Sequence, residues 1–359
     1  VLSLLLPLVL AAASGCAALE RWGGTESRAA VAAERPVLVA AANPLAAQAG
    51  REVLAAGGTA VDAAVAIQAT LGLVEPQSSG IGGGAFLMVF DAASGEIRAY
   101  DGRETAPAGA TPDMFMGPDG RPLSYAQAVT SGRATGAPGA MAALHMAHER
   151  HGKRPWSSLF STPERLARDG FVVSPRLAGF VNGREFPQSS RPDVVAYFRE
   201  ADGTPVDAGD VLKNPAYAKT MRALAERGPR ALSEGPIAQA IVAKVAEAPL
   251  PGTLTAADLR AYRPRAVDPL CRPYRIYVVC VPPPPSSGVS VLQALAMLET
   301  TDVAERGPDD PQAWLLLGEA MRRMYADRDR WVADPVFNPV PIAGLLNPTY
   351  VAERARGLG

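Results

Sequence analysis

A chain of 359 residues that is 48% hydrophobic and 20% charged can bury a large core, and it is too apolar for a disordered polyelectrolyte. Its formal net charge of −1 excludes a bulk electrostatic attraction to nucleic acid or anionic lipid. The basic side chains are 31 arginines and 4 lysines, so no arginine stands out merely by being present.

The first stretch, VLSLLLPLVLAAASGC, is apolar from Val1 to Ala13 apart from Ser3. It is too short to cross a bilayer as a helix and suits the core of a secretory signal. Ala13-Ser14-Gly15-Cys16 resembles a lipoprotein cleavage box, with Ala13 where Leu is usual and no basic segment ahead of it. The expectation is a signal peptide over 1–16, lipidation at Cys16, and export to the periplasm or outer surface. Residues 17–35 are small and polar and read as a linker. The folded region is expected over 36–359.

Pro36 to Ala41 reads as a short strand. Asn43-Pro44 opens a helix from Leu45 to Ala56, closed by Gly57-Gly58. Thr59 and Asp62 have capping-box spacing ahead of a helix from Ala60 to Leu73 that is apolar on nearly every face, as a buried helix would be. The glycine-rich loop 80–84 leads into a strand, Ala85 to Phe90, whose hairpin partner runs from Glu96 to Asp101. Further helices are expected from Gly136 to His151, Pro163 to Gly170, Pro215 to Glu226, Gly235 to Glu247 and Ala256 to Ala261. Two more, Val289 to Glu299 and Gln312 to Ala326, follow a strand from Tyr274 to Val281. Residues 182–212 read as loop, and Pro282–Pro285 as a rigid extended segment. This order fits helices stacked on an antiparallel sheet better than a βαβ unit.

Candidate chemistry is sparse. The loop 80–84 lacks G-x-G-x-x-G and opens a strand, not a helix, so its glycines are expected to permit close backbone packing beside a pocket instead of binding phosphate. His145, His148 and His151 are the only histidines; they read as a solvated helix end in preference to a metal site, and they make a Ser-His-Asp triad improbable. Cys271 and Cys280 flank RPYRIYVV; if that run is one extended strand, the two lie about 30 Å apart, too far to bond, and free buried thiols are expected. No C-x-x-C pattern exists, and no metal or other cofactor is implied. Ser286-Ser287 and Thr300-Thr301 have no base nearby in sequence and read as structural. Arg103 sits at the exit of the hairpin, where its guanidinium fork can grip a carboxylate or form an ion pair with Asp101 or Glu104.

Several segments together resemble the gamma-glutamyltransferase family: Ala41 to Gly84; Asp101-Gly102-Arg103-Glu104-Thr105-Ala106-Pro107; Gly136-Ala137-Pro138-Gly139; Glu149 to Trp156; Gly170 to Ser174; Pro283 to Gly288; and Ala320 to Arg328. Val289 departs from the family, which usually has a second glycine there. The resemblance implies an α+β fold of the N-terminal nucleophile hydrolase type, an αββα sandwich that is incomplete without a small subunit, with 36–359 as the large-subunit region. It implies cleavage of the γ-glutamyl bond of glutathione and transfer of the glutamyl group to water or an amino acid. The acyl-enzyme would form on a threonine of the small subunit, with its own α-amine as base. Arg103 would hold the substrate α-carboxylate. The family's Thr-Thr-His-type processing site is absent from these residues and is expected beyond Gly359, so this chain alone is expected to be inactive. A cephalosporin acylase, a poly-γ-glutamate enzyme or a non-catalytic γ-glutamyl-binding lipoprotein are the alternatives.

Overall fold

The structure, a computed structural model, describes residues 37–183, 186–247 and 249–358. The signal, the linker and Cys16 lie outside the described residues.

Two helices begin the ordered chain. Helix α1 (Pro44–Ala55) starts where the Asn43 side chain accepts from the Leu45 N–H and Pro44 supplies a preset φ. Helix α2 (Ala60–Val74) starts on the capping box read from the sequence: Thr59 Oγ1 accepts from Asp62 N at 3.1 Å, and Asp62 Oδ2 accepts from Thr59 N at 2.8 Å. Residues 37–41 carry no strand.

Strands β1 (Ala85–Phe90) and β2 (Ile97–Gly102) form the expected hairpin, in register from Ala85 opposite Gly102 to Phe90 opposite Ile97. Two short strands, β3 (Phe171–Val172) and β4 (Val211–Leu212), pair with each other. Strand β5 (Arg265–Val267) adds to the far side of β2, giving an antiparallel sheet of order β1-β2-β5. Because paired residues share a face, Leu87, Val89 and Tyr100 point one way. They pack on Val61 of α2 and on Ala143 and Ala147 of helix α3 (Ala140–His151). Phe86, Met88, Phe90, Ile97 and Val267 share the opposite face and are not fully buried, whereas Ala99 and Asp101 on that face are buried. Among the described residues, α2 and α3 pack on the face of Leu87, Val89 and Tyr100.

Outside the sheet, α2 and α3 meet the Trp156–Phe160 turn and helix α5 (Pro215–Arg227) in the largest apolar cluster, around Phe160, Met141, Met221 and Leu224. Helix α4 (Ser161–Asp169) packs against α5, and β3–β4 closes a second cluster with Leu73, Phe171 and Leu177. Residues 182–212 are not all loop: a turn of 3₁₀ helix (Pro187–Ser190) and a short helix (Pro192–Tyr197) lie within them. Helix α6 (Ala256–Ala261) has the bounds read from the sequence. Helices α7 (Gly288–Leu298), α8 (Pro311–Trp331) and α9 (Pro348–Ala355) form a third cluster.

The cysteines correct the sequence reading. Residues 270–281 are not one strand but a hairpin, β6 (Leu270–Tyr274) and β7 (Tyr277–Val281), turned at Arg275-Ile276 with Arg275 at φ 54°. The turn brings Cys271 opposite Cys280, Cα atoms 4.1 Å apart, and the two form a disulfide. The error was to extend RPYRIYVV through a turn that carries neither Gly nor Pro. Closing so short a loop removes about 2.5 kcal/mol worth of unfolded-chain entropy. Replacing both cysteines by serine is therefore expected to lower unfolding free energy by about that amount, measured by urea titration of oxidised and doubly substituted protein.

Asp62 ties the first layer together. Besides capping α2, its Oδ2 accepts from Lys153 N (3.0 Å) and Arg154 N (3.2 Å), just past the end of α3. Burial pushes its carboxyl up, but the N–H groups of Thr59, Lys153 and Arg154 outweigh this and hold it below the ordinary aspartate range. The folded state thus binds this proton less well than the unfolded chain. The stabilisation is present at neutral pH and is lost as pH falls through the carboxylate range. Asp62→Ala leaves these donors unpaired and is expected to cost about 3 kcal/mol at pH 7, with the difference from the parent protein shrinking toward pH 3. Urea melts at the two pH values check both statements.

Candidate active site

Three glycine-bearing segments converge where β2 ends. The Gly83 carbonyl accepts from Gly139 N (3.1 Å) and Ala140 N (3.0 Å), joining the glycine loop to the start of α3. Ala137 N donates to Thr105 O at 2.9 Å, joining that start to the chain just past β2. Such contacts need missing side chains. A Cβ at Gly139 would stand 2.2 Å from the Gly102 carbonyl, and one at Gly102 would stand 2.6 Å from the Ala143 methyl. Within the loop itself only Gly84 is tight: Cβ atoms at Gly80, Gly82 and Gly83 would meet nothing closer than 3.6 Å, so the close packing expected of the loop holds at Gly84 alone.

Upstream, the glycine loop is anchored by Glu75, which is 1% exposed. Its Oε1 accepts from Asn43 Nδ2 (2.9 Å) and Ser174 Oγ (3.1 Å), and its Oε2 from Gln77 Nε2 and Arg176 Nη1, both at 2.6 Å. Arg176 Nη2 reaches on to Ser78 Oγ at 3.0 Å. Burial opposes the charge on Glu75, and the hydrogen bonds from Asn43, Gln77, Arg176 and Ser174 overcome it, so the carboxyl sits below the ordinary glutamate range.

Arg103 follows Gly102 directly, and its backbone is fixed at both ends. Its N–H donates to Asp101 Oδ1 (2.9 Å), while its carbonyl accepts from the Tyr262 hydroxyl (2.9 Å). Asp101 is held from β5 by Arg265 Nη2 at 2.6 Å. Burial, with the negative charge of Asp101 and Glu104 added, pushes the Tyr262 hydroxyl up to about 12, so it remains a donor at neutral pH. The guanidinium itself is 54% exposed and makes no side-chain hydrogen bond among the described residues. Its Nη1 lies 3.1 Å from Glu104 Oε2, within ion-pair distance but without hydrogen-bond alignment. The ion pair weighed for Arg103 therefore exists, to Glu104 and not to Asp101, and it leaves most of the fork's donors free for a planar anion.

The other residues singled out from the sequence have structural roles. His148 is not in a solvated helix end: its Nε2 lies 2.9 Å from the Arg154 carbonyl, which can only accept, and 3.3 Å from Asp62 Oδ1. His151 Nε2 is 2.7 Å from the Tyr100 hydroxyl. Sequence reasoning missed this because the tail of α3 bends back on α2 and β2 instead of ending in water. No group of three metal-ligating side chains occurs among the described residues. Thr300 and Thr301 donate to Met297 and Leu298 carbonyls at the exit of α7. Ser286 accepts from Gly288 N, and Ser287 from Arg328 Nε. Pro282–Pro285 bends into a turn ahead of α7 and is not an extended rod, and Val289 is buried inside that helix.

An antiparallel sheet with helices packed on it and an arginine just past the end of its central strand fits one half of a fold of the N-terminal nucleophile hydrolase type. Residues 46–359 match the family model for gamma-glutamyltranspeptidase, and the chain belongs to that family. It is 37% identical over 320 residues to the glutathione hydrolase proenzyme of Bacillus subtilis (strain 168), a match covering 88% of this chain and 54% of the relative. The chain thus spans about half the length of the curated relatives it matches. By contrast, the Helicobacter pylori gamma-glutamyltranspeptidase crystal structure aligns with a TM-score of 0.84 at 30% identity, over 90% of this chain and 92% of that one. Half of a proenzyme but nearly all of a solved chain corresponds to the family's large-subunit portion. The acylase ACY 1 proenzyme of Pseudomonas sp. (strain V22) is 35% identical over 324 residues, 88% of this chain and 57% of the relative.

Proposed function

We propose that this chain is the substrate-clamping large subunit of an enzyme that cleaves the γ-glutamyl bond of glutathione and passes the glutamyl group to water or an amino acid. The carrying observation is Arg103: a guanidinium with a fixed backbone, a half-exposed fork and unspent donors, at the glycine-packed end of the sheet. In this reading the fork holds the α-carboxylate and so sets where the γ-carbonyl lies. A partner small subunit supplies the threonine nucleophile, the amine that takes its proton and the groups that hold the oxyanion. Nothing in the reaction then requires a histidine from this chain, which suits His148 and His151, both engaged within the fold.

Replacing Arg103 by alanine in the complete two-subunit enzyme removes a charge-assisted pair from ground state and transition state alike. KM for γ-glutamyl-p-nitroanilide is expected to rise about 10- to 100-fold with a much smaller change in kcat. An unchanged KM removes the clamp. A complete enzyme that turns over an acyl-cephalosporin but no γ-glutamyl donor favours the acylase reading, which the similarity to acylase ACY 1 supports.

Export belongs to the same reading. The Cys271–Cys280 disulfide is a bond of oxidising compartments, and the apolar stretch ending at Cys16 suits a lipoprotein signal. Cells fed a labelled fatty acid are expected to incorporate it into this protein and to lose the label with Cys16→Ser; an unlabelled parent protein removes the anchor.

A further inference from the structure

The residue after Arg103 has a carboxylate in an unusual place. Glu104 lies in irregular chain beyond β2, yet its Oε2 is sealed from solvent and makes no hydrogen bond. It fills the space where Gly84 has no side chain: a Cβ there would stand 2.3 Å from Glu104 Oε2 and 2.7 Å from its Cδ. Gly136 leaves room on the other side, since its Cβ would come within 3.0 Å of Glu104 Cβ. The carboxylate is thus wedged between the glycine loop and the segment before α3, and the charge it faces is Arg103 Nη1, at 3.1 Å.

A buried carboxylate oxygen without a hydrogen bond is costly unless a charge compensates it. Arg103 is the compensating charge. The dependence also runs the other way. A free arginine side chain samples many rotamers, and any ligand must pay to order it. A negative charge fixed by backbone packing on one Nη holds the guanidinium in place while the other donors stay open. We infer that Glu104 is the positioning residue for Arg103; a Cβ at Gly84 would displace its carboxylate and would also meet the Gly102 carbonyl at 2.9 Å.

This rests on the reading of Arg103 as the α-carboxylate clamp. An opposing effect gives the test its sign. A carboxylate beside the clamp repels an incoming carboxylate, so if repulsion outweighed positioning, removing the charge would tighten binding. Positioning demands the reverse.

The test uses the complete two-subunit enzyme with γ-glutamyl-p-nitroanilide and its α-methyl ester, which lacks the charge that Arg103 would grip. Glu104→Gln keeps the shape and removes the charge. KM for the free acid is expected to rise about three- to five-fold, the size of a partly exposed ion pair, with kcat and thermal midpoint near those of the parent. KM for the ester is expected to stay unchanged. Glu104→Asp keeps the charge but withdraws it by a methylene, and is expected to fall between the two. An equal or lower KM for the free acid in Glu104→Gln overturns the inference, as does an equal rise for acid and ester, which would mark a general packing effect. If Glu104→Gln does not fold, Glu104→Asp is read by the same acid-to-ester comparison. Arg103→Ala, run alongside, separates the two claims. A large rise there with no effect at Glu104 sinks only the positioning role, whereas no rise at Arg103 sinks the clamp itself.

Discussion

Two N–H groups at the start of α3 donate to one carbonyl, that of Gly83, and the geometry of the site depends on this junction. It brings the glycine loop, the end of β2 and the first turn of α3 within backbone contact of one another. Any side chain at Gly102 or Gly139 would force them apart. Backbone placed by backbone is rigid, because it does not depend on rotamers. Arg103 inherits that rigidity through its own N–H and carbonyl, bound by Asp101 and Tyr262.

Elsewhere in the fold, a few buried carboxylates tie segments together. Asp62 joins α2 to the exit of α3, and Glu75 joins Asn43, the glycine-loop entry and the segment at Ser174 and Arg176. Asp327 on α8 accepts from Gln293 of α7 and from Tyr350 and Arg354 of α9. Each acid receives at least three hydrogen bonds, two or more of them from residues far away in sequence, which a hydrophobic contact could not aim so narrowly. Each is also a liability: removing one donor leaves a buried charge short of a partner, and removing the acid orphans several donors. Glu104 differs from these: its Oε2 is sealed but its side chain is 28% exposed, and the charge facing it, on Arg103, is half in solvent.

Much of this was legible in the sequence because it is written locally. The Asn43-Pro44 and Thr59-Asp62 signals set the starts of α1 and α2 to within a residue, and α6 came out at its observed bounds, since caps and periodicity are short-range. What failed was long-range. The Cys271–Cys280 pairing needed a turn at Arg275-Ile276 that no turn residue announces. His148 and His151 looked solvated because the sequence does not reveal that Asp62 and Tyr100 await them. The position of Arg103 could be read as a strand end, but its weight came from family resemblance. Glu104 drew attention only as a rival partner for Arg103. Its signal lies in the pairing with Gly84, twenty positions upstream, which only the folded backbone makes visible.

A half-exposed arginine beside a glutamate is a weak carboxylate receptor in water, where an exposed ion pair is worth at most about 1 kcal/mol. The same fork in a site closed from solvent is worth several times more, because the effective dielectric falls and the carboxylate's hydration is replaced by fixed donors. On the proposed reading, the strength of carboxylate binding at Arg103 depends on closing its surroundings from solvent, as a partner packed over the incompletely buried sheet face of Phe86, Met88, Phe90, Ile97 and Val267 would do. Burial of that face is favourable in itself, at roughly 25 cal/mol for each Å² removed from water. On that reading, association with a covering sheet and formation of a strong binding site would be one event, with Glu104 already seated beside the guanidinium.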